Sequence, residues 1–190
     1  GKHVGYGAQD LHWEDAGAYT GAISGAMIAD ICAEYVMVGH SERRALFGDN
    51  EAVVAKKMVA AYRNGLKPML CVGENLEERE AGKTARKISM QLSNALRVIT
   101  AEQAENMVVA YEPVWAIGSG KSATAEDAQV VCRLIREKIA KIFINWLTAF
   151  ITPSLRKANF TTIEKSNIPT NSIEIDIITA FSFCIKKFLI

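Results

Sequence analysis

Two side chains in this sequence, Glu112 and His40, stand where acid–base chemistry could be done. Met107-Val108-Val109-Ala110-Tyr111 is a short apolar run that reads as a buried strand, and it delivers Glu112 at its C-terminal end. Pro113 then stops the ladder, and Gly118, Ser119 and Gly120 make a hinged loop before a helix starts at Thr124. A second run, Tyr35-Val36-Met37-Val38-Gly39, delivers His40, which is followed by Ser41-Glu42-Arg43-Arg44. A carboxylate can remove a carbon-bound proton and return it to the neighbouring carbon, while an imidazole can polarise a carbonyl. Each residue alone also has a plain structural reading: a solvated Glu in a strand-to-helix connection, or a structural His beside a Gly. In a parallel barrel the C-terminal strand ends converge on one face, so the pair together favours chemistry.

The elements that must position this pair alternate strand and helix up to about residue 143. A strand fragment over Lys2–Tyr6 is followed by a long polar loop, Gln9–Ile23, and a helix over Ser24–Ala33 with Met27, Ile28 and Ile31 on one face. After the strand ending at His40, a helix is predicted over Glu51–Asn64, with Gly65 as its left-handed stop. Pro68–Val72 forms the next strand. Helix follows from Glu77 to Ile99, broken near Gly82, with Ile88, Leu92, Leu96 and Ile99 spaced to cover a sheet. Thr124-Ala125-Glu126-Asp127 has the form of a capping box and opens a helix carrying Val130, Val131, Leu134, Ile135 and Ile139. The pattern predicts a parallel βα array.

Composition bounds the function. With 190 residues, 49% hydrophobic and 23% charged, the chain can bury a sizeable core. A net charge of +1 with no basic stripe gives no argument for nucleic acid or for an anionic membrane. There is no signal-peptide pattern and no apolar run long enough for a membrane span. Cys32, Cys71, Cys132 and Cys184 are widely spaced in apolar contexts, which predicts buried thiols in a reducing cytoplasm and no metal site.

The motifs resemble a known family. Val38–Arg44 and Tyr111–Lys121 resemble the two best-known signatures of triose-phosphate isomerase. Gly7–Asp10 and Gly17–Gly21 resemble its interface loop, and Leu70–Glu74 the end of its fifth strand. The matches are collinear over roughly residues 5–143. The resemblance implies an α/β fold of the parallel (β/α) barrel type, incomplete, with about four βα units, since a full barrel typically needs ~250 residues. It implies a cytoplasmic, homodimeric enzyme of glycolysis and gluconeogenesis that interconverts dihydroxyacetone phosphate and D-glyceraldehyde 3-phosphate. By the same token Glu112 is the base and His40 the electrophile, neutral if the chain after it donates N–H groups to its far nitrogen. Gly118, in a lid over Pro113–Lys121, gives a backbone N–H to the substrate phosphate. Ser41 and Glu42 support the pocket, with Glu42 equally readable as a salt-bridge partner of Arg43 or Arg44. Thr20 reaches a partner's site, or merely caps a turn. Proton transfer alone requires no metal or organic cofactor.

Several family features are missing. No Asn-x-Lys, the family's catalytic-lysine pattern, stands at a strand end, and no glycine follows Gly120 where the family holds phosphate. Ala22 stands where the family usually has an acidic residue. The chain is expected to start near the family's third strand, and its activity alone to be impaired. The alternative is a non-catalytic, interaction-prone half-barrel with unpaired strand edges. Residues 1–143 are read as the partial barrel and 144–190 as an unrelated tail, rich in Ile, Phe, Asn, Thr and Lys. In it Ile144–Ile151 could extend the preceding helix to a stop at Pro153, and Ser172–Ile177 alternates like a half-buried strand.

Overall fold

Alternation of short β-branched runs with longer amphipathic ones produces a single parallel sheet walled by helices. The structure, a computed structural model, describes the backbone of residues 4–155 and 176–179, with side chains over 4–144. Its elements are β1 (Gly7–Ala8), α1 (Gly25–Asp30), β2 (Tyr35–Val38), α2 (Ser41–Leu46), α3 (Glu51–Arg63), β3 (Lys67–Val72), α4 (Leu76–Glu80), α5 (Thr84–Leu96), α6 (Ala101–Glu105), β4 (Val108–Tyr111), α7 (Ala125–Leu155) and β5 (Asp176–Thr179). A 3-10 turn, Val114–Ala116, follows β4.

The strands lie in chain order, β1-β2-β3-β4-β5, and every neighbouring pair is parallel. Strands laid down strictly in sequence make the wall of a barrel, whereas a doubly wound sheet reverses order at a switch point. Register is continuous: Val38 stands opposite Leu70, and Val72 opposite Tyr111. β3 and β4 therefore end level, while β2 stops two residues short of them.

Period-two alternation sorts the sheet into two faces. Val36, Val38, Leu70, Val72, Val109 and Tyr111 are buried and join one core with Val54 and Met58 of α3, Ile88 and Leu92 of α5, and Ile135 and Ile139 of α7. Tyr35, Met37 and Met69, on the opposite face, are only half-buried. Helix ends follow their local chemistry. Asn50 accepts from the Ala52 and Val53 N–H groups, and Gly65 adopts φ +70°. The Thr124 hydroxyl accepts from Asp127 N at 3.1 Å while Asp127 Oδ2 accepts from Thr124 N at 3.0 Å. The long α4–α5 segment breaks at Gly82, φ +67°.

Some expectations need correction. The first strand falls on Gly7–Ala8; Val4–Tyr6 are not in a strand, and Lys2 lies outside the described residues. Tyr6 contributes its carbonyl, accepting from Glu34 N and Tyr35 N. Of the three residues expected on one face of the first helix only Ile28 is buried, while Met27 is 60% and Ile31 63% exposed. Val130 is likewise exposed. Cys71 and Cys132 are buried, but Cys32 is exposed with φ +59°, because it terminates α1 in the left-handed region where glycine is usual. Cys184 lies outside the described residues. The helix after Thr124 runs unbroken across residues 143–144 and past Pro153 to Leu155. Of Ser172–Ile177, only Asp176 and Ile177 lie within the description, and they open β5. That strand pairs with β4, which is therefore an inner strand of the sheet.

Candidate active site

His40 and Glu112 meet. Gly39, at φ +76°, turns the chain out of β2, and His40 becomes the N-cap of α2. Glu112 follows β4 directly, its N–H donating to the Val72 carbonyl at 2.8 Å. His40 Nε2 lies 2.8 Å from Glu112 Oε1, and the Ser41 N–H donates to Glu112 Oε2 at 2.9 Å. Both side chains are largely buried, with 14% and 7% exposed. The Glu42 N–H donates to His40 Nδ1 at 3.2 Å, so Nδ1 accepts and the neutral ring carries its proton on Nε2. Contact with Glu112 lifts the imidazole above its ordinary 6.5; burial opposes this, and the charges of Glu112 and Glu42 add to the lift. The expected Ser41–Arg44 turn is the first turn of α2.

Supporting residues surround the pair. Glu42 itself is exposed, and among the described residues no ion pair joins it to Arg43 or Arg44. Arg43 pairs instead with Asp10 and Asp49, and Arg44 with Glu51. The loop after β4 starts on a fixed base. Trp115 is 8% exposed, with the Arg79 guanidinium 4.7 Å from its ring centre. Its N–H donates to the Glu74 carbonyl at 3.2 Å, and Nε1 donates to the Tyr111 hydroxyl at 3.5 Å. The fully buried Glu74 carboxylate accepts from Tyr111 at 3.0 Å and from Arg79 at 3.2 Å. Beyond this base, Ile117–Gly120 are exposed, and Gly118 and Gly120 hold φ of +67° and +73°. Lys121 returns the loop to Glu80, 3.2 Å away. Thr20 is exposed in a turn closed by the Ala22 N–H to the Tyr19 carbonyl, and among the described residues no hydrogen bond joins it to His40 or Glu112.

Three supports went unseen in the sequence. Gly73 lies against Glu112: a Cβ there would sit 1.8 Å from the Glu112 carbonyl oxygen, and the Gly73 N–H donates to the buried Gln91 Oε1 at 3.0 Å. Lys57, 2% exposed, bonds Asp10 at 2.6 Å and Asp49 at 2.7 Å, tying the long loop to α3 and the end of α2. A lysine among the buried positions of α3 was the available signal, since a buried ammonium demands partners. Arg44 spans two strand ends. Among the described residues no cluster of His, Cys, Asp and Glu could hold a metal, and no helix is long and apolar enough to cross a membrane.

Comparison with known proteins gives the family. The family model described as triosephosphate isomerase matches residues 1–150. This chain belongs to the triosephosphate isomerase family. It is 53% identical over 143 residues to the triosephosphate isomerase of Moorella thermoacetica, an overlap covering 75% of this chain and 57% of that one. The Carboxydothermus hydrogenoformans protein is 52% identical over the same length, also covering 75% and 57% of the two chains. That of Streptomyces coelicolor is 51% identical over 140 residues, covering 74% and 54%. The chain therefore spans somewhat over half the length of these curated triosephosphate isomerases, and the partial, sequentially ordered barrel agrees with that coverage.

Proposed function

We propose that this chain carries the acid–base pair of an isomerase that interconverts dihydroxyacetone phosphate and D-glyceraldehyde 3-phosphate. The observation that carries the reading is the Glu112 carboxylate held between His40 Nε2 at 2.8 Å and the Ser41 N–H at 2.9 Å, where two strand ends meet. Glu112 removes the carbon-bound proton and returns it to the adjacent carbon. His40 donates its Nε2–H to the carbonyl oxygen as the enediolate forms, a step that needs a neutral ring. When Glu112 turns from His40 to substrate, the main cause of the raised imidazole leaves with it, and the Glu42 N–H keeps Nδ1 bare. Gly118, exposed and without a Cβ, offers its N–H to the phosphate as the lid closes. Ser41 and Glu42 support the pair, and no cofactor enters the step.

We assign the protein to the cytoplasm, consistent with free Cys32, Cys71 and Cys132. We also assign it a homodimer, to which Thr20 contributes. Tyr19, Ile23, Met27 and Ile31, between 46% and 63% exposed, supply an apolar surface for a second copy. Sedimentation at twice the 20.8 kDa chain mass is the expected result, and a monomer at micromolar concentration would count against it.

A second reading, a non-catalytic half-barrel, is favoured by one observation: the 190 residues contain no Asn-x-Lys and no glycine after Gly120. Each missing donor lowers the rate, by about 10²–10³ for one oxyanion contact. Incubating the chain with dihydroxyacetone phosphate in deuterated water decides between them. Slow deuterium incorporation beside the carbonyl, abolished in Glu112→Gln, is expected of the isomerase. Incorporation no faster in the native chain than in Glu112→Gln would leave the half-barrel.

A further inference from the structure

We propose that Arg44 is a positioning residue whose guanidinium fixes where His40 and the Ser41 N–H meet Glu112. The proposal rests on reading His40 and Glu112 as the acid–base pair. Arg44 lies near the end of α2, three residues beyond Ser41, and only 16% of its side chain is exposed. Its Nε donates to the Gly39 carbonyl at 2.6 Å, immediately before His40. Its Nη2 donates to the Cys71 carbonyl at 3.3 Å, and Cys71 is the register partner of Ala110, two residues before Glu112. Nη1 is anchored on Glu51 Oε1 at 2.7 Å, while the other oxygen of Glu51 is buried without a hydrogen-bond partner. One rigid fork thus joins the strand that ends in His40 to the strand that sets the register of Glu112.

Gly39 and Arg44 are fitted to each other. A Cβ on Gly39 would lie 2.7 Å from Arg44 Nη2 and 3.1 Å from Val54 Cγ2, so the guanidinium occupies the space that a side chain would need. A planar guanidinium holds several acceptors in fixed directions, whereas a lysine ammonium is a point charge on a flexible stem. The adjacent Arg43 does something different: it pairs with Asp10 and Asp49. The Arg44 contacts reach backbone carbonyls at the strand ends, which is what placing a neighbouring residue requires.

The test reads His40 directly and needs no substrate. Imidazole ¹⁵N resonances of the chain, which has three histidines, are followed against pH, with His40 assigned by the signal lost in His40→Gln. In the native chain contact with Glu112 holds His40 above 6.5. Arg44→Lys keeps a charge near Glu51 but cannot span both carbonyls, and its His40 titration is expected to fall toward 6.5. Arg44→Gln reaches at most one of the carbonyls and is expected to move it the same way. Glu51→Gln keeps both carbonyl contacts and should leave it in place. A folded Arg44→Lys chain whose His40 titrates as in the native protein overturns the proposal. Should Arg44→Lys fail to fold, Arg44→Gln decides; should both fail, Arg44 is part of the scaffold and the proposal falls. A moved titration in a chain without deuterium exchange would refute the isomerase reading and leave the positioning role standing.

Discussion

Both donors to the Glu112 carboxylate, His40 Nε2 and the Ser41 N–H, belong to adjacent residues at the start of α2. The carboxylate is therefore held against the same turn that presents His40. The pairing has a signed consequence for stability. His40 titrates higher in the folded chain than its ordinary 6.5, so its protonated form is stabilised by folding. That contribution is fully present below 6.5 and is lost as pH rises through the raised folded value. The native chain should exceed His40→Gln in urea midpoint by more at pH 6 than at pH 9, and an equal margin at both would argue against the pairing. Sequence reasoning could name both residues, since each follows an apolar run at a strand end. It could not separate the two roles of Glu42, because only the fold shows its N–H aimed at Nδ1 while Arg43 and Arg44 are engaged elsewhere.

The loop after β4 is built on a network that draws on β4, the end of β3 and α4. Tyr111 ends β4, Glu74 follows β3, and Arg79 of α4 covers Trp115. The Tyr111 hydroxyl is the hub, donating to buried Glu74 and accepting from Trp115 Nε1. Its burial and the nearby Glu74 carboxylate push the phenol well above its ordinary value, so it stays a neutral donor. Tyr111→Phe leaves Glu74 to Arg79 alone and strips Trp115 of its indole acceptor. Loss of about 1–3 kcal/mol in a urea melt is expected, the usual penalty for orphaned buried polar groups. Trp115 emission should shift to the red in the same variant; unchanged stability and emission would show that the lid base does not depend on the hub. None of this was legible beforehand. Hydrogen bonds between residues 37 positions apart, such as Tyr111 to Glu74, carry no local sequence signal.

At the scale of the whole molecule, periodicity went furthest where one face of an element is buried. The helices over 51–63 and 84–96, the strands ending at Val38, Val72 and Tyr111, and the glycine stops at 65 and 82 all follow local rules. Reading failed where distant chain decides the outcome. Met27 and Ile31 have helical spacing, yet nothing among the described residues covers them. A proline argued for a helix end at 153, yet α7 continues two residues beyond it. The pairing of β5 with β4 joins residues 68 positions apart, Val108 with Asp176, and no motif announced it. That pairing has a consequence that can be measured. An open parallel sheet presents unpaired N–H and carbonyl groups at its edge, a template for association with other chains. With β5 in place, the edge of β4, whose last residue precedes Glu112, is occupied along all four of its residues. Ile178→Pro removes a backbone donor and introduces a ring the ladder cannot accommodate, so β5 should detach without any change to β1–β4 themselves. The expected outcome is concentration-dependent light scattering above that of the native chain, with the His40 titration displaced because the strand bearing Glu112 is no longer held on both sides. Scattering and titration identical to those of the native chain would mean that β4 keeps its place without its outer neighbour.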